Sequence, residues 1–184
     1  MSYATAAVTT VGALCLVNMV LLLAVIRRLG EHTRLLADGR PRGPAAEPAP
    51  LDVAPGTRVG EFEVTDADGG QVTRDGLSGT TLVGFLAPGC PLCEDSVPEF
   101  LARAQAAPGG RDQVLAVVLG ASAGVGELCE RLAPVARVLT EREEGGPLVR
   151  AFGVGALPAY GVLRDDVMVA SYALPERIPD LASA

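Results

Sequence analysis

The chain of 184 residues contains no lysine and no tryptophan, and His32 is its only histidine. One histidine and a few scattered cysteines do not supply the four suitably spaced ligands of a zinc site. Histidine-assisted nucleophilic catalysis is equally hard to build, because His32 precedes the part of the chain that is predicted to fold. The net charge of -7 and the lack of a basic stripe make nucleic acid a poor electrostatic partner. Neither a metal nor a nucleic acid is therefore expected.

Cysteine is also scarce, and the four cysteines of the chain are Cys15, Cys90, Cys93 and Cys129. So low a density does not build the disulfide framework of a small secreted domain. Cys129 lies on an apolar pattern with helical spacing, so we interpret it as a core residue. Only Cys90 and Cys93 are close in sequence, separated by Pro91 and Leu92. Any cysteine chemistry is expected at this pair.

The N-terminal part of the chain lacks charge, since no charged side chain occurs between Ala4 and Ile26. A helix of that length crosses a hydrocarbon core of about 30 Å. We therefore predict an N-terminal transmembrane anchor over residues 1–28, with residues 4–26 in contact with lipid and Arg27 and Arg28 at the interface. A cleaved signal peptide is the alternative, but it would need a basic segment before the apolar run and a small-residue cleavage site after it.

The remaining sequence divides by composition into a linker and a domain. Residues 29–56 are predicted to form a juxtamembrane segment and a linker rich in proline, alanine and glycine, without core-forming content. Residues 57–184 are predicted to fold. Strands are predicted over 58–64, 71–74, 81–86, 113–119, 136–139, 159–164 and 167–172, and helices over 91–107, 125–132 and 148–152, with a short helix at the end. This order predicts an α/β domain with a mixed central sheet flanked by helices.

The position of Cys90 and Cys93 between a buried strand and a helix is more informative than their spacing. At the start of a helix, unpaired N–H groups and the helix dipole stabilise a thiolate, which is the species that attacks disulfides. Cys90 is therefore the expected nucleophile and Cys93 the resolving thiol, with no cofactor other than the disulfide that they form. A chance CxxC, half of a metal site or two buried apolar cysteines would have the same local sequence.

The segment TLVGFLAPGCPLCEDSVPEF resembles the strand, active-site loop and helix of thioredoxin-like proteins. In this resemblance Pro98 corresponds to the proline that kinks the active-site helix, and Leu157–Pro158 corresponds to the loop with a cis-proline. The resemblance implies a thioredoxin-like fold in which the Leu157–Pro158 loop faces the disulfide and pairs with extended substrate. It places four further residues in the active-site loop and the start of the helix: Pro88, Gly89, Pro91 and Leu92.

Within this superfamily the sequence is similar to membrane-anchored, TlpA-type disulfide oxidoreductases, including MauD-like proteins. The similarity lies in the N-terminal anchor and in the segments RRLGEHTR, VGEFEVTDADGGQVT and GFLAPGCPLC. It implies exchange with protein thiols and disulfides, a membrane electron-transfer partner, and a catalytic domain on the extracytoplasmic face of the cell membrane. The arginines that follow the anchor conflict with that location, because the positive-inside rule alone would place the domain in the cytoplasm.

The sequence departs from the thioredoxin pattern at the active site. Gly84 stands where many thioredoxins have a buried aspartate that accepts a proton, and no other acceptor for Cys93 is identified. Three acidic residues crowd the start of the helix and oppose a nearby thiolate: Glu94, Asp95 and Glu99. A less stabilised thiolate makes the pair more reducing, so the sequence favours a reductase or isomerase over a strong oxidant.

Two other functions remain open from the sequence. A peroxiredoxin-like thiol peroxidase has the same fold, but its peroxidatic cysteine normally follows a threonine or serine by three residues, and here that residue is Ala87. The second alternative is a membrane-tethered interaction module that keeps the fold without catalysis. Replacement of Cys90 by serine separates these alternatives, because only a binding module would keep its function.

Overall fold

The computed structural model describes residues 49–142 and 145–181, together with Gly12, Asn18 and Met19. The chain divides into two compact units, Met1–Glu47 and Pro48–Ala184, and the elements described below belong to the second. The predicted anchor over 1–28, apart from those three residues, lies outside the described part, as do Cys15 and His32. Within the described part, no helix has both the length and the apolar character needed to cross a bilayer.

The described residues form a five-stranded mixed sheet, a separate hairpin and three α-helices. The strands are β1 (Glu63–Thr65), β2 (Gln71–Thr73), β3 (Thr80–Leu86), β4 (Val114–Leu119), β5 (Arg137–Glu141), β6 (Ala159–Arg164) and β7 (Val167–Tyr172). The helices are α1 (Pro91–Gln105), α2 (Gly124–Leu132) and α3 (Pro147–Phe152). The sheet has the order β5-β4-β3-β6-β7, and β1 pairs with β2 alone. Strands β3, β4 and β5 are parallel, whereas β6 and β7 are antiparallel additions, so the predicted mixed sheet is confirmed.

Strand β3 occupies the centre of the sheet and is buried on both faces. Leu82 and Leu86 point into an apolar cluster formed with α1, α2 and the end of the chain. Val83 and Phe85 point into a second cluster formed with the first hairpin and α3. Since side chains alternate along a strand, a continuous apolar run is required here. This central position fixes the end of β3, from which the cysteine loop leaves the sheet.

The strand predicted over residues 58–64 is wrong in its bounds, because β1 covers only Glu63–Thr65. The residues before β1 form backbone hydrogen bonds with distant segments of the chain instead of a regular ladder. The Val59 N–H donates to the carbonyl of Asp166, and the Gly60 N–H donates to the carbonyl of Ala151, at 2.9 and 2.8 Å. The segment thus connects the turn before β7 to α3, a set of distant partners that local alternation does not reveal.

The compact unit includes residues that the sequence analysis assigns to the linker. Leu51 is only 1% exposed and belongs to the second apolar cluster. It forms an isolated bridge with Val154, and the Asp52 N–H donates to the carbonyl of Gly153 at 2.8 Å. A single leucine in a stretch rich in proline and alanine gives no periodic signal, so this contact was not predicted.

The end of the chain packs against α1. The predicted closing helix is a single 3-10 turn, Pro175–Arg177, and Ile178 beyond it is buried in the first cluster. The Arg103 guanidinium donates to the carbonyls of Ile178 and Glu176, at 2.5 and 3.2 Å. The same guanidinium bonds Glu99 one turn earlier at 2.8 Å. These bonds hold the terminal segment against the helix that carries the cysteines.

Candidate functional site

Cys90 and Cys93 lie at the start of α1, directly after the loop that leaves β3. Cys90 is the N-cap of α1 with an extended backbone, and Pro91 occupies the first turn, where a missing N–H costs nothing. The Cys90 sulfur accepts a hydrogen bond from the Cys93 N–H at an N···S distance of 3.2 Å. One of the unpaired N–H groups of the helix start therefore points at the Cys90 sulfur.

The loop before Cys90 is held by Gly89 and Glu94. Gly89 has a φ of +73°, in the left-handed region that favours glycine. Its N–H donates to Glu94 Oε1 at 3.2 Å, so the carboxylate closes the loop over the first helical turn. On the other side of the loop, Pro88 Cβ lies 3.0 Å from the position that a Cβ on Gly124 would take. The loop that carries Cys90 therefore rests on the start of α2.

The two cysteines have different environments. Cys90 is half-buried, whereas Cys93 is only 1% exposed, and both are free thiols. Burial is the main reason why the pKa of the Cys93 thiol is raised to about 12, and its hydrogen bond with the Cys90 sulfur and the charges of Cys90 and Glu94 add to the increase. A backbone hydrogen bond from Ala87 acts in the opposite direction. The Cys90 sulfur is therefore accessible to a partner, whereas the Cys93 thiol is buried and protonated. This is the arrangement expected if Cys90 attacks first.

The Leu157–Pro158 peptide bond is cis, as the resemblance to thioredoxin-like proteins implies. Ala159 pairs with Phe85 across the antiparallel β3–β6 ladder, so the register continues to place Pro158 opposite Leu86. Leu157 is partly buried and packs against both apolar clusters. The loop therefore lies at the edge of the sheet where β3 ends and the cysteine loop begins.

Pro98 lies inside α1 and is exposed. A proline in the helix interior lacks the N–H that would pair with the carbonyl four residues earlier, here that of Glu94. Leu92, between the two cysteines, is 64% exposed and is one of the large apolar side chains left at the surface. A groove of about 290 Å³ adjoins the loop between Glu94 and Arg131. The surface around Cys90 thus combines an apolar tip with a partly charged groove.

Gly84, where the resemblance puts a carboxylate, is closely packed by two aromatic rings. A Cβ on Gly84 would lie 2.7 Å from Cε2 of Phe100 and 3.3 Å from Cδ1 of Tyr160. The two rings stack with centroids 5.5 Å apart. A side chain at position 84 would therefore have to displace a buried aromatic pair.

Ser96 and Tyr160 form a buried polar pair that the sequence analysis missed. Ser96 Oγ donates to the carbonyl oxygen of Cys93 at 2.9 Å and lies 2.6 Å from the Tyr160 hydroxyl. The sequence offered one signal, since a serine three residues after Cys93 shares its helix face. Cys129 is half-buried against the first cluster, which fits a core role, and burial raises its pKa. Across the described residues, no three His, Cys, Asp or Glu side chains are grouped to hold a metal.

No family model matches the sequence, and no curated protein matches it. Solved structures do match. The thioredoxin domain of a thiol-disulfide oxidoreductase from Bacteroides vulgatus has a TM-score of 0.54 at 16% identity, over 72% of this chain and 95% of that chain. A thiol:disulfide interchange protein from Bacteroides sp. has a TM-score of 0.54 at 15% identity, over 70% and 84%. A thio-disulfide isomerase from Thermus thermophilus has a TM-score of 0.51 at 22% identity, over 66% and 87%. The chain therefore adopts a thioredoxin-like fold.

Proposed function

We propose that this thioredoxin-like chain is a thiol–disulfide oxidoreductase that exchanges disulfides with protein substrates through Cys90 and Cys93. The observation that carries the proposal is the geometry of the pair. The half-buried Cys90 sulfur caps α1 and accepts the Cys93 N–H at 3.2 Å, while the Cys93 side chain is buried behind it. Neither a purely structural pair nor half of a metal site needs one accessible sulfur at a helix N-terminus.

In the first step the Cys90 thiolate attacks one sulfur of a substrate disulfide. A bond forms between Cys90 and that sulfur, and the second substrate sulfur leaves as a thiolate with the electron pair of the broken bond. The N–H of Cys93 and the positive end of the helix dipole stabilise the attacking thiolate. The exposed Leu92 gives the tip an apolar contact for a polypeptide substrate.

In the second step Cys93 loses its proton and attacks Cys90, which releases the reduced substrate and leaves the Cys90–Cys93 disulfide. The Cys90 sulfur has no charge in the mixed disulfide. The charge by which Cys90 raises the pKa of Cys93 is then lost, and the hydrogen bond between the two residues is weaker. The effect of burial remains. Cys93 is thus held protonated before the first attack and becomes more acidic when it is needed.

The same groups support an inference about the direction of electron flow. A resolving thiol with a pKa of about 12 and the nearby Glu94 carboxylate both disfavour thiolates in the reduced pair. A dithiol whose thiolates are poorly stabilised gives up its electrons more readily. We therefore infer a reductase or isomerase rather than a strong oxidant.

The proposal includes a membrane location, which is supported by the sequence alone. Residues 4–26 are uncharged and long enough to span a bilayer, and they would tether the domain to lipid. An extracytoplasmic domain would meet substrates where disulfides form, and it would need a membrane partner to supply electrons. Labelling of Cys90 in intact cells with a membrane-impermeant thiol reagent tests this location.

The activity is tested by reduction of insulin with the full chain in mild detergent and dithiothreitol as electron donor. The unchanged chain and a Cys129→Ser control should both accelerate insulin reduction, and Cys90→Ser should abolish the acceleration. Cys93→Ser should accumulate substrate proteins as mixed disulfides on Cys90, because the resolving thiol is missing. Equal activity of Cys90→Ser and the unchanged chain would refute the proposal.

A further inference from the structure

The hydroxyl groups of Ser96 and Tyr160 are buried beneath the cysteine pair. Tyr160 has no exposed surface, Ser96 is 5% exposed, and their oxygens are 2.6 Å apart. A tyrosine and a serine buried together normally satisfy one another, which is a sufficient structural reason for the bond. Here, however, Ser96 also bonds the backbone carbonyl of Cys93, the proposed resolving thiol.

The direction of each hydrogen bond follows from the number of hydrogens. The Cys93 carbonyl can only accept, so Ser96 uses its single hydroxyl hydrogen to donate to it at 2.9 Å. Tyr160 must then donate its hydrogen to Ser96 Oγ, because Ser96 has no second one. The chain of donors therefore runs from Tyr160 through Ser96 to Cys93.

The fold holds Tyr160 in this position. It pairs with Gly84 across the β3–β6 ladder, and its ring stacks on Phe100 over the space that a Gly84 side chain would need. The place where the resemblance puts a buried carboxylate is thus filled chiefly by the Phe100 ring, and the Tyr160 ring stacked on it carries the hydroxyl that reaches the helix of Cys93.

Charged groups at the start of α1 and near the end of the chain act on this region. Cys90 and Glu94, at the start of α1, act on Cys93, and Cys93, Glu176 and Cys90 act on Tyr160. Burial is the main reason why the pKa of Tyr160 is raised; its hydrogen bond with Ser96 acts in the opposite direction, and the charges of the two cysteines and Glu176 add to the increase. Tyr160 is therefore neutral near pH 7.

We propose that Ser96 and Tyr160 form a positioning pair that holds the Cys93 carbonyl and favours the Cys93 thiolate in the resolving step through the direction of their O–H dipoles. This inference rests on the proposed function. No proton leaves Tyr160. The Cys93 proton passes to solvent. Both hydroxyl hydrogens are used within the chain of donors, so neither bonds the sulfur. Each O–H points along that chain toward Cys93, and the positive ends of the two dipoles lower the cost of the charge that remains on sulfur.

The two thiols can be followed separately with the aromatic disulfide dithiobis(nitrobenzoate). The full chain in mild detergent carries Cys15→Ser and Cys129→Ala, so only the pair reacts. Cys90 attacks first, forming a mixed disulfide and releasing one coloured nitrothiolate. Cys93 then attacks Cys90, closing the disulfide and releasing a second nitrothiolate. The first release measures the attack by Cys90, and the second measures the resolution by Cys93.

Tyr160→Phe removes only the hydroxyl group, and Tyr172→Phe makes the same change at the residue that pairs with Tyr160 on β7. We expect Tyr160→Phe to leave the first release unchanged, to slow the second about tenfold near pH 7, and to raise its pH midpoint by about one unit, since one pKa unit is a tenfold change in thiolate. Ser96→Ala should act in the same direction, and Tyr172→Phe should match the unchanged chain.

Three outcomes would overturn the inference: an unchanged second release in Tyr160→Phe, an equal slowing of both releases, or the same slowing in Tyr172→Phe. The proposed function fails independently. A chain that releases both nitrothiolates in sequence but does not reduce insulin would lack the protein-disulfide activity, and the effect of Tyr160→Phe on the second release could still be measured.

Discussion

Replacement of Gly84 by alanine tests the packing that excludes a carboxylate from the site. The added methyl group would lie 2.7 Å from Cε2 of Phe100 and 2.9 Å from its Cζ. Phe100 has no exposed surface and stacks on Tyr160, so its ring cannot move without disturbing the core. The variant therefore forces a buried aromatic side chain out of its packed position.

The magnitude follows from two opposing effects. Overpacking of a core by one methyl group costs about 1–3 kcal/mol. Alanine in a strand gains about 0.5–1 kcal/mol over glycine, because glycine loses more backbone entropy on folding. The mid-range values of these effects, about 2 and about 0.75 kcal/mol, leave a fall of about 1 kcal/mol in the free energy of unfolding of Gly84→Ala.

Denaturant unfolding of the full chain in mild detergent measures this change, and Gly126→Ala is the matched control. Gly126 lies in α2 and is exposed, and a Cβ there would meet nothing within 4 Å. The control should gain up to about 1 kcal/mol from helix propensity. Phe100→Leu should reduce the penalty of Gly84→Ala, since it removes the clashing atoms. A Gly84→Ala chain as stable as the unchanged one would refute the reasoning.

Three further changes test the electrostatics of the fold and the site. Cys90→Ser should lower the pKa of Cys93 below about 12, because the Cys90 thiolate is lost while the burial of Cys93 remains. Ultraviolet absorbance of the Cys93 thiolate measures this pKa, and an unchanged value would contradict the prediction. Glu94→Gln keeps an acceptor for the Gly89 N–H but removes a negative charge, so the pKa of Cys93 should fall. The Cys90–Cys93 pair should then become less reducing in equilibrium with glutathione. A more reducing pair would argue against the role given to the Glu94 charge. Burial alone would raise the pKa of Asp66, but its bonds to Arg137 and nearby backbone N–H groups lower it below 3.8. Asp66→Asn should therefore reduce the free energy of unfolding by about 1–3 kcal/mol near neutral pH. The loss should shrink as the pH falls below 3.8 through the folded pKa, since protonated Asp66 then loses the same stabilisation, and a loss independent of pH would count against it.

The sequence was sufficient for the parts of the fold and site that depend on local pattern. The apolar run of β3 and the helix start at Pro91 were each predicted from a few neighbouring residues. In both cases the signal is short, because it depends on burial on both faces or on helix capping. The cis peptide bond before Pro158 was predicted from the resemblance to thioredoxin-like proteins and not from the residues around it. These elements are also the ones that place Cys90 at the edge of the sheet.

The interactions that the sequence did not predict join residues far apart in the chain. Ser96 and Tyr160 are 64 positions apart, and each looks ordinary in its own segment. Gly84 was recognised as a departure from the thioredoxin pattern, but the stacked Phe100 and Tyr160 that fill its space depend on the β3–β6 register. Local pattern therefore predicts where the sulfurs lie, whereas their electrostatic surroundings depend on tertiary contacts.

The bridge between Leu51 and Val154 has a practical consequence for truncation. Leu51 Cδ1 lies 2.9 Å from the position of a Cβ on Gly161, so the leucine covers the strand that follows the cis peptide bond. A shortened chain that started at Thr57 would uncover this strand and remove the acceptor of the Gly155 N–H, the carbonyl of Pro50. A shortened chain should therefore begin before Pro50, so that β6 keeps its cover.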